Sequence, residues 1–169
     1  MDDISTAFDD PPESHNEYEK ELLLRVKESG WQSTHVFADT DGDPSFTYST
    51  GFWQALGRPE VIVFDFPARL AHDVIGQTFR LLSDGADIQT EKPVTNILSG
   101  ESVYFFAVDE EAKSEYLLSS KWFYKGNQFP AIQMVWPDPS GSFPWQPNFE
   151  RKLIGLQPDI SKISWSNML

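Results

Sequence analysis

Tyr18, Leu22 and Val26 recur at helical spacing with charged residues between them, and Gly30 follows where such a helix would end. The pattern predicts an amphipathic helix over Asn16 to Ser29, with Asn16 as its cap. Trp31 to Ala38 and Ser45 to Thr50 then read as two strands around Asp39-Thr40-Asp41-Gly42-Asp43-Pro44, a turn-rich connection that predicts an antiparallel hairpin. After the break at Gly57-Arg58-Pro59, Glu60 to Phe66 is a nearly continuous β-branched and aromatic run. A run of this kind marks a strand buried on both faces, and so the centre of a sheet. Pro67 opens a helix that continues through Leu82. Its stripe is Leu70, Val74, Ile75, Thr78, Leu81 and Leu82, with His72 on the other side and Gly85 as the stop.

Downstream, Val94 to Leu98 and Glu101 to Val108 bracket Ser99-Gly100 as a further hairpin, Glu110 to Tyr124 reads as a third helix, and Ala131 to Trp136 as the last strand. This order describes an α+β domain: a mostly antiparallel sheet of about five or six strands packed against two or three helices on one side. Residues 1–15 are acidic, carry Pro11-Pro12 and lack periodicity, which predicts a disordered leader. Residues 16–169 form the single domain. From Pro137 onward, prolines, glycines and aromatics alternate without a period, as in an irregular strap around the domain.

Composition narrows the function classes. A chain of 169 residues can bury about two-thirds of its unfolded surface, and 13 Phe and 6 Trp predict an aromatic-rich core. Against 26 acidic residues stand only 13 basic ones, a formal charge of −13, which excludes a nucleic-acid surface and disfavours anionic membranes. The same excess suits a protein that meets a basic partner. Without cysteine there is no disulfide or thiolate site, no apolar signal region follows Met1, and no stretch approaches the ~20 apolar residues of a membrane span. The cytoplasm is the expected compartment.

Five blocks carry a resemblance: Gly30-Trp31, Phe46-Thr47-Tyr48-Ser49-Thr50-Gly51-Phe52, Pro59-Glu60-Val61-Ile62-Val63, Val135-Trp136-Pro137-Asp138 and Gly141-Ser142-Phe143-Pro144-Trp145. In this order, over roughly Glu17 to Phe149, the chain resembles a bacterial family, the domain of unknown function numbered 4262. The resemblance implies no activity, cofactor or catalytic residue.

Candidate chemistry must therefore come from the residues. Asp39, Asp41 and Asp43 with Gly42 look like part of a calcium loop, but the distal bidentate Glu is missing. Three histidines, none in a His-Glu-x-x-His pattern, give no transition-metal site, so neither a metal nor a cofactor is expected. His35 and Tyr48 fall on neighbouring strands of one hairpin, where an imidazole beside a phenol could transfer protons; a half-exposed strand histidine and a core tyrosine are the plainer alternatives. Ser49 and Gly51 could present donors to an anion. Glu60 opens an apolar strand and must be exposed, paired or shifted in pKa, with Arg58, Arg69 and Lys121 as possible mates. Trp136, Asp138 and Trp145 lie on a Pro-rich loop that suits either an aromatic clamp or a strap closing the core. Two functions follow. One is a non-enzymatic acidic interaction protein, antitoxin-like or immunity-like, that binds a basic protein. The other is a ligand-binding or enzymatic domain with a pocket between the 31–51 hairpin and the 136–145 loop.

Overall fold

Asn16 opens the first helix in the computed structural model, which describes residues 4–126 and 128–168. Its carboxamide accepts from the Glu19 N–H and the Glu19 carboxylate accepts from the Asn16 N–H, both at 2.8 Å, a capping box that satisfies two free donors. This helix, α1 (Glu17–Ser29), stops at Gly30, whose φ of +88° lies in the left-handed region.

The sheet contains β1 (Gln32–Val36), β2 (Phe46–Thr50), β3 (Glu60–Phe64), β4 (Pro93–Leu98), β5 (Glu101–Ala107) and β6 (Ala131–Val135). They lie in the order β1-β2-β3-β6-β5-β4. Every pair is antiparallel except β3 with β6, which run parallel at the centre. All five residues of β3 are buried, as its apolar run requires. The helices are α2 (Phe52–Leu56), α3 (Ala68–Ser83), α4 (Glu110–Tyr116) and α5 (Leu118–Phe123).

Both faces of the sheet are covered, whereas the sequence pattern places helices on one side only. The apolar stripe of α3 (Ala71, Val74, Ile75 and Leu82) packs on Val61, Val63, Phe105, Ile132 and Met134. The alternate residues of the same strands point the other way. Tyr48, Ile62 and Phe64 meet Leu22 and Val26 of α1 with Leu117 and Phe123 around α5, while Phe106 and Val135 meet Phe143, Trp145 and Trp165 of the C-terminal strap. The apolar Glu60–Phe66 run needs exactly this cover on both sides, and α1 together with the 110–123 helices supplies the second layer.

Two further differences have local causes. The segment from Glu110 to Tyr124 is two helices because Leu117 leaves the helical region (φ −91°, ψ 60°) to bury its side chain completely. The break also turns the Ser119 N–H onto the Tyr48 hydroxyl at 2.9 Å. The leader is docked rather than disordered over its described part. Thr6 caps a short turn at Ala7–Asp9, Ala7 is buried, the Phe8 ring meets Phe123 edge-on at 5.4 Å, and Asp10 pairs with Lys125 at 2.6 Å. Removing residues 1–15 should therefore lower the thermal midpoint by about 5 °C, as roughly 1–3 kcal/mol of packing is lost at ~2–4 °C per kcal/mol. Differential scanning calorimetry measures this, and an unchanged midpoint would show that the docked leader adds no stability.

Candidate functional site

The main polar constellation centres on Glu60, the first residue of β3, whose side chain is fully buried. No cation reaches it: among the described residues Arg58, Arg69 and Lys121 are not its partners, and the expected ion pair is replaced by hydrogen bonds. Oε1 accepts from the Ser49 hydroxyl at 2.7 Å and the Phe52 N–H at 3.1 Å. Oε2 accepts from the N–H groups of Gly51 and Trp53 at 3.1 Å each and from the Tyr124 hydroxyl. The three backbone donors are the free N–H groups at the start of α2, so Glu60 caps a helix from the neighbouring strand. Burial pushes the carboxyl's pKa up, while Tyr124, Ser49 and the backbone N–H groups pull it back. Burial, followed by the adjacent carboxylate, pushes the Tyr124 phenol far above its ordinary value.

Gly51 is positioned by sterics as well as hydrogen bonding. Its φ is +120°, and a Cβ there would lie 2.4 Å from the Gly30 carbonyl oxygen and 2.9 Å from the Trp31 Cα. Only glycine fits where the β2–α2 turn crosses the end of α1. The surrounding hydroxyls complete the network. Ser49 Oγ accepts from the Val61 N–H at 2.9 Å, Ser120 donates to the Ser49 carbonyl at 2.9 Å, and Thr50 and Ser120 share a 2.7 Å bond.

The pocket expected between the hairpin and the late loop does not form. Register pairs His35 with Thr47 and Thr34 with Tyr48, so His35 and Tyr48 point to opposite faces of the sheet. His35 Nδ1 bonds Thr47 Oγ1 at 2.7 Å, and Tyr48 lies in the core beneath α1 and α5. Trp136 and Trp145 are also separated. Trp136 stacks on Phe66 at 5.5 Å on the α3 face, whereas Trp145 packs against Phe106 and Phe143 on the other. Of the eight sequence candidates, Ser49, Gly51 and Glu60 converge. Tyr124 and Ser120 complete that group and escaped the sequence reading, because nothing local in a helical run points to a glutamate sixty or more residues away.

The late loop is a strap. Asp138 Oδ1 accepts from the Ser140 N–H and Ser142 N–H at 2.9 Å each and from the Ser140 hydroxyl at 2.7 Å, and Oδ2 accepts from the Glu150 N–H at 2.9 Å. These bonds, led by the Ser140 hydroxyl, hold its carboxyl below the ordinary 3.8. The Gln157 carboxamide pairs with the Trp136 backbone at 2.9 and 3.0 Å, extending the ladder where no strand continues.

Open surface lies elsewhere. A groove of about 870 Å³ runs between α3 and the β4–β5 hairpin over Leu70, Val74 and Ile97 and holds none of the candidate residues. Its Arg80 is already forked onto Gln77 at 2.8 and 3.0 Å. At the β1–β2 end, Asp39, Asp41 and Asp43 are exposed beside Phe37, which is 79% exposed. The Asp39 carboxylate, by charge and then by hydrogen bonding, raises the pKa of Asp43, with Asp41 adding to the effect. Among the described residues no three His, Cys, Asp or Glu side chains are grouped to hold a metal ion, and no helix is long and apolar enough to cross a membrane.

A family model described as a domain of unknown function (DUF4262) matches residues 25–150, most of the chain and all of the Glu60 network. No curated protein and no solved structure matches.

Within the network every partner of Glu60 is a donor, so an amide in its place puts N–H against N–H. Glu60→Gln should destabilise by about 2–4 kcal/mol in urea unfolding and Tyr124→Phe by about 1–3. A neutral Glu60→Gln would mean that the donors find other acceptors. For Asp138, a depressed folded pKa stabilises the protein above pH 3.8, and that contribution is lost as pH falls through the lower folded value. The stability deficit of Asp138→Asn should therefore be present at pH 7 and shrink on acidification below 3.8; a deficit independent of pH would contradict this account.

Proposed function

We propose, for a chain that belongs to the DUF4262 family, that it is a non-enzymatic acidic interaction protein, acting in the cytoplasm, that binds a basic protein partner. The observation that carries this reading is the β1–β2 tip, where the Asp39 and Asp41 carboxylates crowd Asp43 closely enough to raise its proton affinity beside an exposed phenylalanine. Like charges held together are relieved by a cation from outside, and an exposed aromatic offers the apolar anchor that a contact needs. The net charge of −13 extends the same field over the whole molecule and would speed encounter with a basic surface. The polar groups that could have served catalysis are spent inside. Ser49 and Tyr124 both donate to Glu60 in the core, and His35 and Tyr48 are on opposite faces.

The test is affinity capture by the wild-type chain and by a variant with Asp39, Asp41 and Asp43 each changed to Asn. The wild type should retain a basic protein whose association slows at least tenfold as salt rises from about 0.05 to 0.5 M, and the variant should bind several-fold more slowly at low salt. Salt-independent capture, or equal binding by the two chains, would count against the reading.

A further inference from the structure

The sheet has two edges, and they are treated differently. β4 is blunted: it begins at Pro93, its register slips between Val94 and Leu98, Asn96 sits at φ +72°, and Gln77 donates to the Asn96 carbonyl at 3.0 Å. These features prevent another strand from pairing with an edge. β1 has none of them. Gln32–Val36 contains no proline, lysine or bulge, its five residues pair in unbroken register with β2, and among the described residues no other backbone hydrogen bond joins it. Its outer row of N–H and C=O groups is free to pair.

Two hollows flank that row. One, about 200 Å³, lies between β1 and the Tyr18, Glu21 and Arg25 side of α1; the other, about 180 Å³, is bounded by Trp31, Ser33 and His72. Thr34 faces the α1 side and Ser33 bonds His72 of α3 at 2.8 Å, and the two hollows adjoin along the edge, sharing Arg25, Gln32 and Ser33 as walls. Side chains of an added strand would lie against them. The Thr34 hydroxyl, at the wall of the first hollow, meets the Tyr48 phenol across the β1–β2 pair.

Resting on the acidic-binder reading, we infer that β1 is the docking edge, and that the occupant is an extended basic segment of the partner protein paired with Gln32–Val36 as a seventh strand. Charge selects this occupant. The edge runs out into Phe37 and the Asp39, Asp41 and Asp43 tip, and the cation that walls both hollows, Arg25, is already held by Glu21 at 2.6 Å. A second copy of the chain would bring another −13 to the same edge and is repelled. Backbone pairing supplies affinity in this mode, while the two hollows and the acidic tip supply selectivity.

The probe is the peptide Lys-Val-Lys-Val-Lys-Val-Lys, acetylated and amidated, compared with the same sequence N-methylated at alternate residues so that one backbone edge cannot donate. At about 0.05 M salt the plain peptide should bind, slow amide exchange within Gln32–Val36 at least tenfold, and lose at least tenfold in affinity on N-methylation. The variant carrying Asp39→Asn, Asp41→Asn and Asp43→Asn, which keeps the acceptors of the turn, should bind the plain peptide at least fivefold more weakly. If both peptides bind equally with strong salt dependence, strand addition is overturned and the acidic-binder reading stands. If neither binds, or protection falls outside β1, the edge is overturned. A salt-promoted dimer with protected β1 amides would overturn the basic occupant in favour of a second copy.

Discussion

Burying a carboxylate without a cation is the constraint around which this fold is arranged. An isolated ionised side chain in a core costs several kcal/mol, and Glu60 offsets that cost only because five donors reach it. Three of those donors exist because α2 starts where it does. The start of α2 depends on Gly51, which alone can pass within contact of the Gly30 carbonyl at φ +120°. Tyr124 can reach only because the 110–123 segment breaks at Leu117 and lays α5 against the end of β2. One carboxylate thus ties together the end of α1, the β2–α2 turn, the central strand and the second helical layer.

Much of the fold was legible because periodicity reports burial directly. The charged spacing around Leu22 and Val26 gave α1 with its cap and stop, and the unbroken Glu60–Phe66 run gave the central strand. What could not be read has physical reasons. A five-residue helix such as α2 spans too little chain to show a period, and its N-terminal donors are main-chain groups with no signature in sequence. Leu117 interrupts its helix without glycine or proline, for a tertiary reason, the burial of its own side chain. The docked leader was hidden for a similar reason, since Ala7 and Phe8 gain partners only once α5 is in place.

The candidate site was half legible. Glu60 could be recognised as a residue in need of partners, and Ser49 and Gly51 as donors near an anion, but composition suggested cations as mates when backbone N–H groups and a phenol serve instead. The His35–Tyr48 pairing failed on parity. Strand alternation sends residues one register step apart to opposite faces, and the turn length that decides the register is not encoded in either strand alone. Trp136 and Trp145 separate by the same rule, because Trp136 continues the β6 alternation toward α3 while the strap carries Trp145 around to the other face.

The location of the satisfied polar groups bears on what the molecule is for. Ser49, Ser120, Tyr124 and Asp138 are all bonded within the protein itself. The groups that the proposed reading assigns to a partner lie at the periphery: crowded carboxylates at one hairpin tip, an exposed aromatic ring, and a strand edge left open while its counterpart is blunted. An open edge carries an aggregation risk, and repulsion between chains of charge −13 keeps like molecules apart without repelling a cationic strand. On the proposed reading the acidity and the open edge act together: charge excludes a like chain, and the edge receives a cationic strand.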